Sequence, residues 1–109
     1  MPADFTPIAK TDALADGQMK GYALGYEMVC LVRLDGRYYA LEDFCAHAGG
    51  VLSSGVLDGE EMVCPLHGAR FDVRTGKQSV GPSLADQPTY PVRIDGDDVL
   101  IGPLRPVGI

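Results

Sequence analysis

Four residues of this sequence are placed for chemistry: Cys45, His47, Cys64 and His67. They come in strict alternation, C-x-H, then sixteen residues, then C-x-x-H. The segment CAHAGGVLSSGVLDGEEMVCPLHGARFD, residues 45–72, holds both histidines of the chain and two of its three cysteines. Thiolate and imidazole together point to bound metal. A structural zinc site usually takes cysteines about two to four residues apart and then histidines about three to five apart. Here each arm mixes the two kinds. C-x-H is also tight for two ligands on one tetrahedral ion, and easier for ligands on neighbouring ions.

A two-iron centre with two cysteines on one iron and two histidines on the other makes that demand. CAHAGG and CPLHGARFD resemble the C-x-H…C-x-x-H signature of Rieske proteins. LDGRYYALEDFCAH and the closing YPVRIDGDDVLIG resemble the flanking strands of Rieske-type ferredoxins, so the resemblance spans nearly the whole chain. It implies one [2Fe–2S] cluster held by Cys45, His47, Cys64 and His67. It also implies a role: a small soluble ferredoxin of a bacterial ring-hydroxylating dioxygenase system. Such a protein is an electron-transfer component and not an enzyme. It takes single electrons from a flavin-containing, NAD(P)H-dependent reductase and delivers them to a terminal oxygenase. No further histidine remains for the mononuclear iron of an oxygenase. Two readings compete with the carrier: a structural Cys2His2 zinc interaction module, and a fixed electron-transfer subunit of a larger oxidoreductase.

The resemblance also bears on tuning. High-potential members carry a disulfide between the cluster loops, at positions that correspond to Gly50 and Leu66, and hydroxyl donors at positions that correspond to Ala69 and Phe71. This chain has neither, so a potential toward the low end of the Rieske range, about −150 mV, is expected. Gly49, Gly50 and Gly68 adjoin the ligands, where an absent Cβ lets backbone N–H groups approach sulfur. Pro82 matches the proline loop that covers the cluster. The docking rim is expected at Ala48, Val51, Leu66, Pro82 and Leu84, with Glu42, Asp43 and Glu60 steering encounter.

Composition narrows the field. Fifteen acidic against nine basic side chains give a formal charge of −6, which disfavours nucleic acid and anionic membranes as partners. No apolar run approaches the roughly 20 residues of a membrane span. The N-terminal residues lack the basic-then-apolar order of a secretory signal. An odd cysteine count argues against a disulfide framework, so a reducing cytoplasmic setting is expected. A monomer is the expected state for a mobile carrier.

The elements that position the ligands read as short strands. EMVCLVRL (27–34) is an apolar, β-branch-containing run that fits a buried strand, with Cys30 as packing. Asp35-Gly36 follows, then RYYAL (37–41), a strong hairpin signal. Further hairpins are expected over 55–63 at Asp58-Gly59, over 69–78 at Thr75-Gly76, and over 90–102 around Asp95 to Asp98. Residues 11–17 suggest one helical turn, and 82–88 a loop. The expected fold is all-β: a Rieske-type antiparallel β sandwich, one domain over 1–109. Its cluster-binding part, about 43–84, presents two ligand loops at hairpin exits.

Overall fold

The computed structural model describes residues 5–25, 27–44, 51–64, 69–80 and 86–103. Eleven strands are assigned among them, all in antiparallel pairs. In chain order they are β1 (Thr6–Lys10), β2 (Gln18–Leu24), β3 (Glu27–Leu34), β4 (Arg37–Glu42), β5 (Val56–Asp58), β6 (Glu61–Val63), β7 (Arg70–Asp72), β8 (Gln78–Val80), β9 (Thr89–Tyr90), β10 (Val92–Asp95) and β11 (Asp98–Ile101). Among the described residues one 3-10 turn is assigned, over Leu52–Ser54. The strands form three sheets, ordered β1-β11-β10, β2-β3-β4-β9 and β5-β6-β7-β8.

The β2-β3-β4-β9 sheet lies in the middle, and β3 shows why. Its apolar run divides by the two-residue period of a strand. Val29 and Leu31 pack with Leu14, Tyr38, Ala40, Tyr90, Val99 and Ile101 on one face. Cys30 and Val32 pack with Leu41, Leu52, Met62, Cys64, Ala69, Phe71 and Val73 on the other. A strand covered on both faces must be apolar throughout, so this one shows no polar alternation. Each fully buried Leu, Val or Phe side chain contributes about 1.5–3 kcal/mol.

The four expected hairpins form. Between β3 and β4, Asp35 and Gly36 both take positive φ, +52° and +77°, as a type I′ turn requires. The β5–β6 and β10–β11 ladders close at Asp58–Glu61 and Asp95–Asp98, which centres those turns one residue later than Asp58-Gly59 and on Gly96-Asp97. The helical turn expected over 11–17 is absent. Two β-turns replace it, with Ala13 N–H donating to the Lys10 carbonyl at 3.0 Å and Gln18 N–H to that of Ala15 at 3.1 Å. Tertiary packing accounts for the difference. Leu14 is drawn into the core, and the Tyr38 hydroxyl accepts its N–H at 3.3 Å while donating to the Thr11 carbonyl at 2.9 Å. The described part of 82–88, residues 86–88, is loop as expected.

Candidate metal centre

Both ligand arms leave strand ends that are closed by hydrogen bonds. Past β4, Asp43 N–H donates to the Met28 carbonyl at 2.8 Å, which prolongs the β3–β4 ladder by a residue. Phe44 then bridges Val51, and Leu52 N–H donates to the Asp43 carbonyl at 3.1 Å. The Cys45–His47 arm lies within the segment so closed. The second arm is tied off at Cys64, whose N–H donates to the Ala69 carbonyl at 2.8 Å. His67 lies in the four-residue segment between them.

The feet of the two arms meet in one core. Leu52 follows the first arm, Cys64 and Ala69 flank the second, and all three belong to the apolar cluster that also holds Met62 and Phe71. Cys64 is 1% exposed. Cys45, His47 and His67 lie outside the described residues, as do Ala48, Gly49, Gly50, Leu66, Gly68, Pro82 and Leu84. Of the four candidate ligands the structure therefore describes Cys64, together with the strand ends that flank the two arms.

The donor set fits an iron–sulfur group. A buried thiol in an apolar wall, in a sequence that offers one more thiol and two imidazoles on the two arms, suits iron and sulfide better than hard oxygen-loving ions. Ala69 and Phe71 are fully buried at the second arm and carry no hydroxyl. Cys30 is a different kind of cysteine. Burial, with the Asp43 charge adding to it, pushes its thiol far above the ordinary range, which leaves it a packing residue, as expected.

Asp43 corrects the expectation that it steers partners. Its carboxylate is buried, accepting the Ser53 N–H at 2.7 Å and the Ser53 hydroxyl at 2.6 Å. A buried carboxylate needs such donors, and here they staple one end of the first arm's segment to the other. Glu60 is exposed, but Arg74 pairs with it at 2.6 Å. Glu42 is half-buried, and burial, then the nearby Glu27, raises its carboxyl. Val51, the described member of the expected rim, is 37% exposed, and its bridge partner Phe44 is 44% exposed. Phe44, Ser53 and Gln87 escaped the sequence reading, because bonds between distant side chains and carbonyls leave no periodic mark.

Ion pairs brace the sheet that carries Cys64. Arg70 Nε meets Glu61 at 2.8 Å and its Nη2 meets Asp58, while the Ser79 hydroxyl donates to Glu61. Ser79, then Arg70, holds the Glu61 carboxyl below the usual range. Burial alone would raise Asp72, but hydrogen bonds from Arg74 outweigh it and hold that carboxyl low as well. A carboxylate depressed in the folded state contributes stability above its unfolded pKa, and loses it as pH falls through the folded one. Stability should therefore fall as the pH drops below about 4.3, the ordinary glutamate value. In melts taken from about pH 7 downward, an Arg70→Met protein should lose less on acidification and converge on the parent; parallel acid limbs would contradict the Glu61 assignment.

Comparison with known proteins follows the same lines. Residues 4–91 match the family described as the Rieske [2Fe-2S] domain. The ferredoxin component of biphenyl 2,3-dioxygenase from Rhodococcus jostii (strain RHA1) is 38% identical over 97 residues, 89% of this chain and 91% of the relative. The ferredoxin of carbazole 1,9a-dioxygenase from Nocardioides aromaticivorans IC177 superposes with a TM-score of 0.86 at 34% identity, over 93% of this chain and 99% of that one. A complex of reduced oxygenase and oxidized ferredoxin in carbazole 1,9a-dioxygenase contains a chain that matches with a TM-score of 0.84 at 26% identity, over 91% of this chain and 93% of its own. The match selects the two-iron cluster over a zinc module. With its mixed thiol and imidazole donors and its three antiparallel sheets, this chain belongs to the Rieske [2Fe–2S] family, among the ferredoxins of aromatic-ring dioxygenase systems.

Proposed function

We propose that this protein is a one-electron carrier. It receives electrons from a flavin-containing, NAD(P)H-dependent ferredoxin reductase and delivers them to a terminal ring-hydroxylating oxygenase. Cys45, His47, Cys64 and His67 hold its cluster. One observation carries the reading: two arms, each bearing one thiol and one imidazole, spring from strand ends that share a single apolar core. Relatives named as dioxygenase ferredoxin components support it, as does the oxygenase–ferredoxin complex among the solved structures. The whole chain, 1–109, acts as one ferredoxin domain, with 43–84 its cluster-binding part. The protein works in the cytoplasm as a monomer; among the described residues no helix is long and apolar enough to cross a membrane.

The bound cluster supplies one-electron chemistry, neutral when oxidised and singly negative when reduced, given two thiolates, two sulfides and two neutral imidazoles. The chain's own residues do the rest. Leu52, Met62, Ala69 and Phe71 wall Cys64 from water on the protein side. Phe44 and Val51 offer an exposed apolar pair at the foot of the first arm, beside Cys45. A small apolar contact suits a partner that must dissociate after each transfer.

Absorption and low-temperature EPR of the purified protein, before and after dithionite, test the reading. A brown, EPR-silent protein should gain a reduced-state signal with average g below the free-electron value, with a midpoint potential of about −150 mV. A colourless protein that retains stoichiometric zinc after anaerobic reconstitution would overturn it. Phe44→Glu should slow electron delivery to the oxygenase about tenfold and leave the spectrum unchanged. Unaltered delivery would remove this face from the docking surface.

A further inference from the structure

Gln87, through its side chain and its backbone, joins the two halves of the site without belonging to either arm. It is buried, and its carboxamide Nε2 donates to the carbonyls of both Glu42, at 2.8 Å, and Phe44. Those carbonyls belong to residues two apart, at the end of β4 and just past it, in the segment that leads into Cys45. The β4–β9 ladder pairs Leu41 with Thr89, and Glu42 N–H donates to the Pro88 carbonyl at 3.0 Å. Beyond that point the Gln87 amide carries the contact on, from a side chain instead of the backbone. The backbone of the same residue faces the other way. Its N–H donates at 2.6 Å to the carbonyl of Gly76, in the turn between β7 and β8 of the sheet that carries Cys64.

We propose that Gln87 is a positioning residue for the cluster, fixing the carbonyls of Glu42 and Phe44 and so the course of the chain into the Cys45–His47 arm relative to the sheet of the Cys64–His67 arm. This rests on the ligand assignment made above. The chemistry is specific to glutamine. Methionine has nearly the same length and volume but no donor. Glutamate would set an acceptor against two carbonyl oxygens. Asparagine, one methylene shorter, can serve one carbonyl but not span both.

The test uses the full-length protein with its cluster, comparing the parent with Gln87→Met and Gln87→Asn. Two measurements are made: the g-values of the dithionite-reduced protein, and the rate at which a ferrous chelator bleaches it. Gln87→Met should keep the parent's far-UV circular dichroism, show shifted g-values and release iron about tenfold faster. Gln87→Asn should fall between. A variant with a lower melting temperature but the parent's g-values and a bleaching rate within about twofold would show an ordinary structural role and overturn the proposal. If Gln87→Met does not accumulate as folded protein, the same two readings on Gln87→Asn decide. A parent without the mixed-ligand EPR signal would instead overturn the ligand assignment, whatever the variants do.

Discussion

A Gly76→Ala protein is expected to melt roughly 15 °C below the parent and to lose iron during purification. Gly76 has φ of +78°, a conformation that costs an L-residue about 1 kcal/mol or more. A methyl group there would also fall deep inside the van der Waals envelope of the Gln87 carbonyl oxygen, with Thr89 Cγ2 at 2.9 Å and the Gln87 carbonyl carbon at 3.1 Å. The obstacle is backbone, so no side-chain rotation relieves it. The turn and the facing loop would have to part, and the 2.6 Å bond from Gln87 N–H to the Gly76 carbonyl would go with them. Strain, overpacking of about 1–3 kcal/mol and a lost hydrogen bond of about 1 kcal/mol sum to roughly 3–5 kcal/mol. That is a large fraction of the stability of a domain this size. Circular dichroism melts with iron analysis would show it, and a melting temperature within about 3 °C of the parent would refute the steric argument.

The second large effect concerns the Asp43–Ser53 staple. Asp43→Ala should destabilise by about 3 kcal/mol, because it removes two charge-assisted bonds and leaves the Ser53 N–H without its acceptor. Asp43→Asn should cost less than half of that, since an amide oxygen can still accept the N–H and the hydroxyl can turn to accept from the amide nitrogen. Gly21 supplies an independent check. A methyl group on it would stand 2.6 Å from Asp43 Oδ2 and 2.7 Å from Ser53 Oγ. Gly21→Ala should therefore act by forcing the staple open, and should cost little once Asp43 is already alanine. Denaturant midpoints of the two single variants and the double variant close the cycle. Additive losses would mean that Gly21 and the staple are unconnected.

These residues show which parts of the molecule were legible in the sequence. The ligand spacing and the Asp35-Gly36 turn depend on residues close in the chain, and both could be read directly. β3 announced itself through an unbroken apolar run, which two-sided burial explains. β1, β2 and β9 did not. β1 and β2 are half-exposed with no clean alternation, and β9 has two residues. Asp43 was misjudged because an acidic residue after a strand ordinarily faces water; its burial is decided by Ser53, ten positions on. Gln87 reaches back 43 and 45 residues to carbonyls, and carbonyls have no identity in a sequence.

The pairing of β1 with β11 has a consequence for the order of assembly. Thr6 lies opposite Ile101, and Lys10 opposite Asp98. Val99 and Ile101 fill the apolar cluster on one face of the central sheet, so a chain emerging from the ribosome cannot seal that face until β11 is out. The other face, which holds Cys64 and the feet of both arms, is built from residues 30–73 and needs neither end of the chain. The four proposed ligands are thus all synthesised while the opposite side of the central sheet still lies bare, and closure of a loop of some ninety residues is the step that comes after them.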